Sequence, residues 1–314
     1  MFARFHTAHG RLSGASVMNR TKKISWSVVR GVILFGLCFE IVYPFFVKIM
    51  QTFMTKEDLV DPTIKLYPLH WTLSTLRQTF TEIEFVPAAF NSLLLSLMVS
   101  VLQMMICTLV GYGLARFKFR GRNLLFFMVI LTLIIPPQLY AITQYLYFYY
   151  FGIGQHTVNL IGTYWPFLML SLTGMGMKNG LYIFLMRQFF RGLPKELEDA
   201  AYIDGCGMFG TYLRVILPNA RNMLITVFVL SFSWQWTDYF FSSMLLGAQQ
   251  VTNLPLAIIN NIQLIRTGGE RVDPILYAVE RNTACLLAMI PLLILFAFLQ
   301  KRLINGIERS GLVE

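Results

Sequence analysis

Gly174-Met175-Gly176-Met177-Lys178-Asn179-Gly180 lies inside an apolar run from Val158 to Phe190, and the way that run crosses a membrane sets the topology of the whole chain. A helix of 33 residues would be roughly 50 Å long at about 1.5 Å per residue, whereas a hydrocarbon core is about 30 Å thick. The run must tilt, break or fold back. Glycines at this density are a natural break, and Lys178 is a poor residue for lipid contact. Taking the run as one span or as two puts everything after it on opposite sides.

Composition makes lipid the solvent. Of the 314 residues 56% are hydrophobic and 13% charged, whereas water-soluble chains carry about 25% charged residues. A secreted disulfide scaffold, a disordered chain and an ordinary cytosolic enzyme are excluded. Further runs of spanning length are Gly31 to Met50, Ala88 to Ala115, Leu124 to Tyr150, Asn222 to Leu246 and Ile275 to Gln300. The first follows a tail with Arg4, Arg11, Arg20, Lys22, Lys23 and Arg30. That order resembles a signal peptide, but no small-residue cleavage site follows, so it reads as a retained span.

Counted as one span, 158–190 leaves four basic segments on one side: the N-terminal tail, the loop Arg116 to Arg122, the segment Arg187 to Arg221 and the stretch after Gln300. They hold 18 of the 26 Lys and Arg, the excess that cytoplasmic loops carry. The expectation is an all-α membrane protein with six transmembrane helices and cytoplasmic N- and C-termini. A tail covers 1–30, one membrane domain 31–300 and a second tail 301–314, with the 51–87 and 247–274 connections outside.

Between the fourth and fifth spans lies a loop over 192–221 that includes Leu193-Pro194-Lys195-Glu196-Leu197-Glu198-Asp199-Ala200-Ala201-Tyr202-Ile203-Asp204-Gly205. Pro194 suits a first helical position, and the acids behind it suit a helix N-terminus. Leu193, Leu197, Ala200 and Ala201 share a face, and Gly205 supplies the positive φ that ends the helix. Phe209, Tyr212, Leu213, Ile216 and Leu217 repeat the spacing, and Pro218 closes the second helix. Periodicity alone leaves a plain surface connector open.

Asp199-Ala200-Ala201, Gly205 and Leu217-Pro218 resemble the EAA loop of the membrane subunits of ABC importers, read as EAA, three residues, G, nine residues, I, one residue, LP. Gly111-Tyr112-Gly113-Leu114-Ala115-Arg116-Phe117-Lys118-Phe119-Arg120-Gly121 resembles a signature of the carbohydrate-type permeases related to the maltose permease G subunit. So do Pro136-Pro137-Gln138, Phe184 to Phe190, Trp236-Thr237-Asp238-Tyr239 and Gly306 to Leu312. The resemblance runs from about Tyr43 to the end of the chain. It implies a type I ABC importer permease fold whose loop is a coupling helix seated in a cleft of a cytoplasmic ATPase. It also implies a second, non-identical permease, two ATPase subunits that bind ATP and Mg, and an extracytoplasmic solute-binding protein delivering a sugar or oligosaccharide. Carried over by position, the coupling residues are Asp199 or its neighbour Glu198 as the acid, Ala200 and Ala201 as the close-packing face, then Asp204, Gly205, Leu217 and Pro218. The pattern is departed from at Asp199 for Glu, Val215 for Ile, and Asn222 where a second proline is common.

Polar residues inside spans are costly and so are candidates for a substrate pathway. Trp234, Gln235, Trp236, Asp238 and Tyr239 combine rings that stack on a sugar with groups that bond its hydroxyls. Glu280, Arg281, Asn282 and Gln138 are further candidates; an aromatic belt with interhelical bonds is the plainer alternative. Intramembrane Glu40, Asp238 and Glu280 also allow a secondary transporter or channel driven by an ion gradient.

Other signals carry little. Gly205-Cys206-Gly207-Met208-Phe209-Gly210 fits a dinucleotide fingerprint, but no strand precedes it, and no phosphate-binding P-loop occurs. Five basic and four acidic residues from Arg187 to Arg221 lack the cationic footprint for nucleic acid. Asn19-Arg20-Thr21 is a sequon on the cytoplasmic side of this topology. Cys38, Cys107, Cys206 and Cys285 form no pairs, and the four histidines stand apart, so no metal site and no catalytic residue is assigned.

Overall fold

The computed structural model describes residues 14–64, 66–153, 156–247, 251–264 and 273–311. Expectations for the first thirteen residues, for 248–250 and 265–272 of the second external connection, and for the last three residues lie outside these. The chain divides into a unit up to Leu73 and a unit from Ser74 onward.

In the first unit α1, Gly14–Thr52, runs unbroken through Pro44, so helix begins well inside the segment read as a tail. Apolar side chains including Trp26, Ile33, Phe35 and Phe39 are exposed along it, as befits a surface made for lipid or for another apolar face. After it comes α2, Lys56–Val60, capped by Thr55. The buried Asp58 carboxylate accepts the backbone N–H groups of Leu69 and His70 at 2.9 and 2.8 Å and faces His70 Nδ1 at 3.0 Å, closing the connection back on itself.

The second unit is built around α4, Phe85–Arg116, which follows the short α3, Ser74–Glu82. Along α4 the buried positions Ser92, Ser96, Ser100, Gln103, Cys107 and Gly111 recur every three or four residues, a stripe of mostly small side chains that lets neighbouring helices approach where no hydrophobic force acts between them. Leu93, Leu97, Met105 and Leu109 on the same helix are exposed. At Gly111 the approach is close: a Cβ there would stand 2.6 Å from Met186 Cβ and 3.0 Å from the Arg187 backbone nitrogen.

The run expected as a third span is two helices, α5, Arg122–Ile134, and α6, Ala141–Tyr149, joined by a 3-10 turn at Pro137–Leu139. Pro136 forces Ile135 into an extended conformation with ψ 118°, and neither proline offers an N–H to continue the ladder. An antiparallel hairpin, β1 Phe151–Ile153 with β2 His156–Val158, follows. The 158–190 run is broken as its glycines suggest: α7, Trp165–Leu172, then α8, Asn179–Gly192. Gly174 and Lys178 take positive φ of 73° and 61° at the break.

Two short helices, α9, Glu196–Ile203, and α10, Met208–Thr211, lead through a π turn at Tyr212–Ile216 and α11, Leu217–Asn219, into α12, Arg221–Thr237. The expected fifth span is also interrupted. Asp238 is extended with ψ 117° and starts α13, Phe240–Leu245. Helices α14, Leu254–Leu264, and α15, Pro274–Gly311, complete the unit. Among the described residues three helices, α1 from Ser25, α4 and α15 up to Lys301, are long and apolar enough to cross a membrane unbroken, and the helix pair meeting at Ala220 forms a further bent stretch.

Candidate functional site

The loop after α8 is locally determined almost residue by residue. Glu198 and Asp199 donate their backbone N–H groups to Lys195 O, so α9 begins at Glu196 and Pro194 stands just outside it, not at its first position. Proline there still does its work, since it cannot prolong α8. At the other end Gly205 takes φ +80°, its N–H bonds to Tyr202 O at 3.0 Å and that of Cys206 to Ala201 O at 2.9 Å. These two reversed bonds satisfy helix-end carbonyls and require the left-handed residue between them.

Pro218 does not close the second helix as expected. The helix continues to Asn219, and the chain turns by 76° at Ala220 into α12. Lacking an N–H, Pro218 withholds the bond that would keep the ladder in α register, and the preceding turn is π, with Leu217 N–H bonded to Tyr212 O. Asn219 Nδ2 donates to Val215 O at 2.7 Å.

What holds the loop against the helices is a pair not foreseen in the sequence. Arg116, the last residue of α4, lies 2.9 Å from Glu198 Oε1 through Nε, with the side chains only 7% and 12% exposed, and donates from Nη2 to Leu193 O at 2.8 Å. Beside it the Tyr112 ring meets those of Phe190 and Tyr212 with centroids 5.5 and 5.0 Å apart. Ala201, Thr211, Ile216 and Ala220 are buried beneath the loop. Arg116 belongs to the glycine-rich signature and Glu198 to the loop; their distance along the chain hid the pairing.

The opposite face is open. Asp199, Ala200, Asp204 and Gly205 are exposed, and the corner between α9 and α10 presents Ile203 at 86% exposure and Phe209 at 69%, with Met208 beside them. Ala200 and Ala201, expected on one packing face, are divided: Ala200 faces out and Ala201 in. Leu217 is half-buried and Pro218 exposed.

The residues considered for a substrate pathway do not form one cluster. Asp238 is buried and caps α13, accepting N–H bonds from Phe241 at 3.2 Å and Ser242 at 2.8 Å. Trp236 is buried, stacks on Phe232 and donates from Nε1 to Ala288 O at 3.0 Å. Glu280 is buried, Arg281 exposed and Asn282 half-buried on consecutive positions of α15. Gln138 is exposed on the proline turn, as is Tyr239 beyond Asp238. Trp234 is 45% exposed. Gln235, only 4% exposed, lines a cavity with Gln103 and Gln144. A glutamine in the apolar surroundings of Gln103, Val101-Leu102-Gln103-Met104-Met105, was the signal that could have found this second feature.

Residues 107–309 match the family described as the binding-protein-dependent transport system inner membrane component. The arabinooligosaccharides transport system permease protein AraQ of Halalkalibacterium halodurans is 27% identical over 92% of this chain and 96% of its own length. The maltodextrin transport system permease protein MdxG of Bacillus subtilis is 30% identical over 77% of this chain and 80% of its own length. In structure, a chain of a bacterial ABC transporter involved in the import of the acidic polysaccharide alginate superposes with a TM-score of 0.71 over 95% of this chain and 99% of that one at 18% identity, a likeness of fold.

Proposed function

This chain belongs to the binding-protein-dependent transport system inner membrane component family, a multi-pass membrane protein with the type I importer permease fold, and from that premise we propose that it is a permease subunit of an ATP-driven sugar or oligosaccharide importer. The observation that carries the proposal is the two-sided loop: Glu198 is fastened inward to Arg116, while Asp199, Ala200, Ile203, Met208 and Phe209 point away from the chain's own core. A loop held rigidly to α4 yet presenting an acid and an apolar corner is suited to take a push from a second protein and pass it to the helices. Asp199 is then the acid that meets the ATPase, because Glu198 is engaged within the chain.

In the same proposal six spans arise from α1, α4, α5 with α6, α7 with α8, α12 with α13, and α15, with both termini cytoplasmic. A second, non-identical permease, two ATPases and an extracytoplasmic solute-binding protein complete the assembly. The names of the relatives, arabinooligosaccharide and maltodextrin permeases, support a sugar cargo. Trp234 and Gln235 are the pathway residues this geometry favours. Asp238 is occupied as a helix cap, which removes one of the three acids, with Glu40 and Glu280, that the ion-gradient alternative would use.

The test is co-expression with candidate ATPases and the second permease, followed by purification in detergent. Asp199→Lys should abolish co-purification of the ATPase at wild-type membrane abundance. Retention of the ATPase by that variant would place the docking acid elsewhere, and failure of the wild type to bind any ATPase would overturn the importer reading.

A further inference from the structure

Three helices that end beside the coupling loop carry polar groups at one level. Lys178 lies 14 residues from the loop end of α8, Gln103 lies 13 from the loop end of α4, and Trp234 lies 13 from the start of α12. At about 1.5 Å per residue each stands roughly 20 Å from the loop, well inside a hydrocarbon core of about 30 Å. They are connected: Gln103 Oε1 accepts from Ser231 Oγ, Gln103 Nε2 donates to Met177 O at 3.2 Å, and the Lys178 ammonium sits 4.8 Å from the centroid of the Trp234 ring.

Two features of this layer are unfinished business within the chain. Gln235 Nε2 and Gln144 Oε1 are buried without a hydrogen-bond partner, a donor and an acceptor lining the same cavity of about 20 Å³, room for one water or one hydroxyl group. A hydroxyl, which both donates and accepts, satisfies the pair. The second feature is charge. Lys178 and Trp234 are exposed, and among the described residues no carboxylate lies within ion-pair distance of the lysine. A cation at this depth is costly against lipid, so this surface faces something other than acyl chains. Lys178 is moreover held in a left-handed conformation, φ 61°, that disfavours a lysine.

We infer that Lys178 and Trp234, beside the cavity lined by Gln235, Gln144 and Gln103, form a cargo subsite at the helix break and that it takes an acidic, carboxylate-bearing sugar. The ring of Trp234 offers a face for the sugar ring, the glutamine pair binds a hydroxyl, and the Lys178 ammonium moves from the indole to the carboxylate. The inference rests on the importer reading above and adds the charge class of its cargo.

The experiment uses the complete importer, both permeases, ATPases and binding protein, in proteoliposomes. Uptake is measured for oligogalacturonate, oligoglucuronate and oligomannuronate, and for neutral malto- and arabino-oligosaccharides. Lys178→Asn removes the charge while keeping a residue that tolerates left-handed backbone, and Lys178→Arg keeps the charge. The expected result is uptake of a uronate sugar, reduced about tenfold or more by Lys178→Asn and largely retained by Lys178→Arg, with Trp234→Ala defective too. Uptake of neutral sugars only, or uronate uptake indifferent to Lys178→Asn, overturns the inference and leaves the importer reading standing. Loss of the second permease from the purified Lys178→Asn complex would make the lysine an intersubunit contact and overturn it as well. If neither sugar class moves although ATPases are bound, the sugar-importer reading fails and this one with it.

Discussion

Replacing Glu198 by alanine should loosen the loop without touching its outward face. The variant leaves the Arg116 guanidinium, 7% exposed in the native pair, with the Leu193 carbonyl as its remaining bonded partner. Truncating one side of a buried ion pair costs about 3–5 kcal/mol because the other charge stays uncompensated. Taking about 3 kcal/mol, and about 1.4 kcal/mol per factor of ten, the population of opened loop rises roughly a hundredfold. Amide exchange followed by mass spectrometry reads this directly at Asp204, Gly205 and Cys206, whose N–H groups are bonded to Ala200, Tyr202 and Ala201 and exchange through local opening. Glu198→Ala should speed their exchange about a hundredfold, and Asp199→Ala should leave it unchanged. Replacing both Arg116 and Glu198 by methionine should recover part of the protection, since removing both charges also removes the desolvation cost. Less than about threefold acceleration in Glu198→Ala, or equal acceleration in Asp199→Ala, would refute the division of labour between the two acids.

Gly205→Val places a β-branched residue at φ +80°, a conformation costing about 1–2 kcal/mol for ordinary L-residues; transport should fall while membrane abundance stays normal, as immunoblot and uptake on the same vesicles would check. Gly111→Val forces α4 and α8 apart, because its Cβ would lie 2.6 Å from Met186 Cβ, so this variant should lose abundance itself, and wild-type levels would contradict the packing. Asp58 is held below the usual carboxylate range, first by the His70 N–H and then by the His70 ring and the Leu69 N–H, against the opposing effect of burial. A depressed folded value means that its stabilisation is complete above the ordinary aspartate value of about 3.9 and is lost as the pH falls through the lower folded value. Protection of the Leu69 and His70 amides, corrected for intrinsic exchange, should therefore hold from neutral pH down to that range and then collapse, and it should be absent at neutral pH in Asp58→Ala.

Much of this was legible in the chain because lipid simplifies the code. Long apolar runs announce helices, and the glycines of 174–180 announced their break. Two interruptions lie inside runs whose length reads as a single span, for different reasons. Pro136-Pro137 is visible in the sequence, but its match to a motif masks its action as a helix stop. Asp238 stands out in the sequence for its charge, whereas in the structure it caps α13, a role that an aspartate ahead of Tyr239-Phe240-Phe241-Ser242 also suits. The two short helices of the loop after α8 are legible from spacing because their turns are local. The Arg116–Glu198 fastening was not, since nothing periodic links the end of one helix to a loop far along the chain. The division of Ala200 from Ala201 likewise depends on which side of α9 the bulk of the protein lies.

The 76° turn at Ala220 makes the segment from Met208 to Thr237 a bell crank. Its short arm, Met208–Asn219, is about 18 Å long and its long arm, α12, about 25 Å at roughly 1.5 Å per residue. A crank with those proportions turns motion of Met208 perpendicular to the short arm into motion across α12, enlarged about 1.4-fold at the far end by the ratio of the arms. A sub-helical-turn displacement of the loop would thus arrive at the Trp234 level as a sideways sweep of similar size. The pivot residue needs no large side chain and has none: Ala220 is fully buried, a bearing packed on all sides.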